Sequence, residues 1–79
     1  MEKIRPRALS FKQKQELSGI EAAIASAEQA VAELERTLQD PAVYATRGAD
    51  VPALVAELEA ARGRVEALYL RWQELEALA

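Results

Sequence analysis

Two mirrored rows of apolar residues constrain this chain more than anything else in it. The first runs Leu17, Ile20, Ile24, Ala27, Val31, Leu34, Leu38, in alternating steps of three and four residues. The second runs Leu54, Leu58, Ala61, Val65, Leu68, Trp72, Leu75, with the order of the steps reversed. Such spacing averages the roughly 3.5-residue repeat that keeps one stripe of a helix against a single partner helix. Pairing Leu38 with Leu54, Leu34 with Leu58, Val31 with Ala61 and Ala27 with Val65 keeps the sum of residue numbers constant. The same sum carries on through Ile24–Leu68, Ile20–Trp72 and Leu17–Leu75. Two helices matched in this way run in opposite senses. Val31 faces Ala61 and Ala27 faces Val65, so small meets large and the helices approach without voids. The pattern predicts an all-α fold: a two-helix antiparallel coiled-coil hairpin with a short helical turn at its tip.

The punctuation of the sequence sets the boundaries. Pro6 lacks an amide hydrogen and disfavours helical geometry at Arg5, so residues 1–9 read as a basic linker or arm. Ser10 with Gln13 three positions on forms a capping-box pattern, which starts helix 1 at about residue 10 and carries it to about 39. Asp40-Pro41 ends it and can begin a short helical turn over 41–46, folding Val43 and Tyr44 over a tip that spans 40–50. Gly48 is expected to permit a tight bend. Asp50 is expected to cap helix 2, about 51–78, with Pro52 harmless in its first turn. On the flanks, Glu28 is expected near Arg62 and Lys14 near Glu76. Gly19 and Gly63 fall at outward positions.

Composition removes whole classes of chemistry. The chain has 79 residues and neither cysteine nor histidine. Thiolate sites, disulfides and the commonest general base and metal ligand are therefore absent. No glycine-rich phosphate loop occurs, and the serines and threonines lack a partner base. The glutamates recur at solvent-face spacings. The residues point to an interaction module, with no catalytic residue, no metal site and no cofactor of its own. The opening residues have no apolar core of a secretory signal, and no apolar run reaches the ~20 residues of a membrane span, so no membrane partner is expected.

Charge is distributed unevenly. Residues 1–14 carry five basic residues against one acid, and residues 15–79 carry five against twelve. Arg5, Arg7, Lys12 and Lys14 are the candidate contacts to nucleic-acid phosphates, a sequence-independent and salt-sensitive mode. Tyr44 and Arg47 are candidate contacts at the tip, where exposed loops carry recognition. Trp72 falls on the seam opposite Ile20. Phe11, Tyr69 and Leu70 lie off the seam and form a candidate docking patch for a preceding domain or a second copy, which would make a weak homodimer.

Three segments carry a family resemblance. LSFKQKQEL at 9–17, LQDPAVYA at 38–45 and YLRWQELE at 69–76 resemble, in that order, the opening, bend and closing segments of the C-terminal domain of ABC-F ATPases of the Uup type. Phe11 stands where that family usually has tyrosine, and Ser18-Gly19 stand where it often has a Leu-Pro-like step. The resemblance implies a cytoplasmic parent protein with two ATP-binding cassettes, binding ATP and magnesium outside these residues, and no membrane domain. It also implies DNA or ribosomal RNA, including the ribosome, as partner of the hairpin, with Lys12 and Lys14 the contacts that fall within the matched motif. Two other readings compete. The tRNA-binding arm of a valyl-tRNA synthetase is also a coiled-coil hairpin, but it usually carries an Asn-x-x-Phe-like bend where this chain has Asp40-Pro41. The other is a purely structural oligomerisation rod.

Overall fold

The structure, a computed structural model, describes residues 9–79. Its described residues form three α-helices and one 3-10 turn, with no strand: α1 (Phe11–Gln39), α2 (Pro41–Thr46), the turn Gly48–Asp50, and α3 (Val51–Leu78). Helix α1 has 29 residues and is therefore about 43 Å long.

The start of α1 is closed as its sequence requires. Gln13 N–H donates to the Ser10 hydroxyl at 3.1 Å, and Ser10 N–H donates to Gln13 Oε1 at 2.9 Å. Two amides that the first turn leaves without helical partners are thereby satisfied. At the other end, Asp40 is the C-cap of α1 and the N-cap of α2, its carboxylate accepting from Ala42 N–H at 2.9 Å. Pro41 occupies the first position of α2, where no amide hydrogen is needed.

Helices α1 and α3 pack on one another along their length. Glu16 meets Arg71, Glu28 meets Tyr69 and Glu35 meets Arg62, so residue numbers rise along one helix as they fall along the other. Every residue of the two apolar rows is buried or half-buried. Burial is deepest away from the tip. Ile20, Ile24 and Leu75 form the core there, with Leu9, Leu17, Leu68 and Trp72 packed against them, and Leu75 is completely buried. Val31, Leu34, Ala61 and Val65 midway along are only half-buried. Leu54, Leu58 and Val43 are buried again toward the tip. A large apolar side chain taken out of water contributes roughly 1.5–3 kcal/mol, so these layers dominate stability.

Four expectations are corrected. Asp50 does not cap α3; its carboxylate accepts no cap hydrogen bond and instead takes Arg47 Nε at 3.3 Å. The 3-10 turn hands the backbone to α3 in helical geometry at Asp50, and a capping residue needs extended geometry to aim its side chain at the helix amides. Gly48 has no positive φ, so the bend draws on a 3-10 turn and not on glycine's freedom. Arg62 pairs with Glu35 at 2.8 Å and leaves Glu28 to Tyr69. No ion pair joins Lys14 to Glu76 among the described residues; Glu76 instead accepts from the Trp72 indole at 3.2 Å. Gly19 and Gly63 do face outward, with no atom within 4 Å of where a Cβ would stand.

Candidate nucleic-acid interface

Of the four basic residues expected to meet phosphate, Arg5 and Arg7 lie outside the described residues. Lys12 and Lys14 stand in the first turns of α1, held on a helix by the Ser10–Gln13 box, and both are exposed. The helix does not bring them together. Residues two apart point to different faces. Lys14 shares the flank of Glu21 and Glu28, seven and fourteen residues on, while Lys12 points away from that flank. The end of α3 brings Glu74 and Glu76 to the same end of the molecule as Lys12 and Lys14.

Three of the described arginines are engaged by carboxylates. Arg71 Nε and a terminal nitrogen grip both oxygens of Glu16, at 2.7 and 2.9 Å, and its other terminal nitrogen reaches Glu74 at 3.0 Å. The hydrogen bonds from Arg71 hold the Glu16 carboxyl below the usual carboxylate range, and those to Glu16 and then Glu74 push the guanidinium up. Arg62 is taken by Glu35 and Arg47 by Asp50. Lys12, Lys14, Arg36 and Arg64 form no ion pair with a described residue.

At the tip, the Tyr44 hydroxyl donates to the Leu38 carbonyl at 2.6 Å, satisfying an acceptor at the C-terminal end of α1. Its ring remains half exposed. Thr46 donates to the Ala42 carbonyl at 2.7 Å. Tyr44 and Arg47 therefore both have structural partners at the tip, Leu38 and Asp50. Tyr44 presents a ring fixed by its own hydroxyl.

Phe11 and Leu70 are largely exposed and Tyr69 partly so. Tyr69 is the exception in its surroundings. Its hydroxyl donates to Glu28 at 2.9 Å, which raises its pKa above the ordinary phenol value, and its ring lies 6.2 Å from that of Trp72 at an interplanar angle of 39°. The expected flank pairs do not include Glu16–Arg71, Glu28–Tyr69 or Glu35–Arg62. The signal for them is present: in antiparallel helices one flank lies one residue past a seam residue on both strands, and the other flank lies one residue before a seam residue on both. Stepping one past Ala27 and Leu68 gives Glu28 and Tyr69, and one past Leu34 and Ala61 gives Glu35 and Arg62. Stepping one before Leu17 and Trp72 gives Glu16 and Arg71.

Among the described residues no group of histidine, cysteine or carboxylate side chains could hold a metal ion, and no helix is long and apolar enough to cross a membrane. The family model described as ABC transporter C-terminal domain matches residues 8–77. No curated protein and no solved structure matched the chain.

Proposed function

The chain belongs to the ABC transporter C-terminal domain family, and on that premise we propose that it is the nucleic-acid-binding module of a soluble ABC-F ATP-binding protein of the Uup type. In this reading the module is an antiparallel two-stranded coiled-coil hairpin, a reading supported by the opposed cross-helix contacts and the burial of both apolar rows. The family match spans the opening, bend and closing segments alike, which favours this reading over a valyl-tRNA synthetase arm. ATP and magnesium belong to cassette domains of the parent, which hydrolyses ATP in the cytoplasm. This chain supplies contact and no catalysis. Its ligand is DNA or ribosomal RNA, including RNA within the ribosome.

The observation that carries the reading is the concentration of cations at the start of the chain. Five basic residues precede an acidic body, and Lys12 and Lys14 are exposed on α1. Arg5, Arg7, Lys12 and Lys14 would each neutralise a phosphate and release a counterion. Four such contacts give a log–log salt slope of about −3.6 on duplex DNA. Tyr44 and Arg47 would add a contact at the far end.

Fluorescence anisotropy with labelled duplex and single-stranded oligonucleotides tests this. Binding should weaken steeply between low and physiological salt, and changing Arg5, Arg7, Lys12 and Lys14 together to Glu should abolish it. Binding that survives the charge reversal would remove the arm from the mechanism.

A further inference from the structure

A groove of about 310 Å³ runs beside the core furthest from the tip, lined by Glu21, Ile24, Ala25 and Glu28 from α1 and by Tyr69 and Trp72 from α3. We propose that it is a docking site for an arginine or lysine side chain carried on a basic segment of a partner protein.

The two walls differ in chemistry. Glu21 and Glu28 are two turns apart on one face of α1, about 10 Å along the axis. Opposite them stand two aromatic rings, 6.2 Å apart between centroids and tilted by 39°. Each ring gives its polar hydrogen to a carboxylate: the Tyr69 hydroxyl to Glu28 at 2.9 Å and the Trp72 indole to Glu76 at 3.2 Å. A donor bound to a carboxylate leaves its ring more electron-rich, which strengthens attraction for a cation over the face. Ile24 and Ala25 offer an apolar stretch to the methylene stem of a long cationic side chain.

The chemistry excludes other occupants. Carboxylates on the rim repel an anion. No set of three carboxylates among the described residues converges to hold a metal ion, so a bare divalent cation has no shell here. An organic cation on an apolar stem matches both walls. Residues 15–79, with twelve acids against five basic residues, draw a basic segment in at long range.

The full chain, titrated with the synthetic peptide Gly-Arg-Gly-Arg-Gly, tests the proposal through the emission of Trp72, the sole tryptophan. The expected result is a saturable change that weakens with salt and is absent with the same peptide carrying citrulline for arginine. Glu21→Gln and Tyr69→Leu should each weaken binding about fivefold, Tyr69→Phe should retain most of it, and Glu33→Gln should leave it unchanged. Circular dichroism of each variant separates loss of binding from loss of helix. The proposal is overturned by an absent or citrulline-insensitive response, or by binding indifferent to both Glu21→Gln and Tyr69→Leu. It is also overturned if Arg5→Gln with Arg7→Gln shifts the emission without peptide and tightens peptide binding. The chain's own arm would then be the occupant.

Discussion

The two ends of this molecule are held by different kinds of interaction. At the end where α1 begins and α3 finishes, side chains from distant parts of the sequence interlock: Ile20 and Ile24 with Leu75, flanked by Leu17, Leu68 and Trp72, and bridged outside by Arg71 between Glu16 and Glu74. At the tip, the contacts are short in sequence and mostly to backbone: Asp40 to Ala42, Tyr44 to Leu38, Thr46 to Ala42, Arg47 to Asp50. One end is a packed core that needs both helices. The other is a hydrogen-bonded turn that mostly specifies itself, with Val43 and Leu54 as its buried apolar residues. Long-range packing makes the first end cooperative with the whole fold, whereas local bonds let the second be loosened by itself.

Truncating the core should produce the largest effect and the sharpest contrast. Leu75 is completely buried, so Leu75→Ala leaves a cavity among Ile20, Ile24 and Trp72 and should cost about 2–5 kcal/mol. For a chain this short, that approaches the whole folding free energy, and thermal melts followed at 222 nm should lose cooperativity or shift far down. Leu34→Ala, at a half-buried layer midway along, should cost clearly less. Equal losses from the two would mean that the core is spread evenly along the seam and that the contrast between ends fails.

At the tip the expected effect is smaller and local. Asp40→Ala removes the only side-chain cap of α2 and should cost about 1 kcal/mol. Its signature is faster amide exchange at Ala42 and Val43, with protection near Ile20 and Leu75 unchanged. Exchange that rises at both ends together would show that the tip is part of the same cooperative unit as the core.

Much of this arrangement is legible in the sequence. The two apolar rows carry the helices, and the short tip between them turns the second row back along the first. Ser10 with Gln13 and Asp40 with Pro41 are local signals whose partners lie within three residues, and both behave as read. Asp50 was misread because capping depends on the backbone angle at that residue. The 3-10 turn that Asp50 closes, not its own side chain, decides that angle. The expected flank pairs are off by a single heptad step: the seam register places Glu28 near Arg62, whereas its position, one past Ala27, faces Tyr69. The groove between Glu21 and Trp72 was invisible for a related reason. It arises from two flanks facing each other, and neither flank taken alone looks like a site. The basic cluster shows the opposite failure. Lys12 and Lys14 look like neighbours in the sequence, yet the helix turns them to different faces.

The smallest expected difference between the two ends is in their response to pH. Glu16 is bonded to Arg71, so its carboxyl ionises more readily in the fold than in the unfolded chain. A folded-state pKa below the unfolded value means that the pair stabilises above about pH 4.5 and that this contribution disappears as pH falls through the lower, folded value. The pair bridges α1 and α3 at the packed end, so its loss should be felt by the whole fold. Arg71→Gln removes the cause of the shift. The melting temperature of the parent chain should therefore fall more between pH 6 and pH 3 than that of Arg71→Gln, a difference of a few degrees at most because the pair is exposed to water. The two curves should converge at the acidic end, where Glu16 is protonated in both proteins and has no charge left to offer. Parallel curves over the whole range would mean that the contact forms no net bond in solution. The packed end would then be held by its apolar side chains alone, and the contrast with the hydrogen-bonded tip would become sharper still.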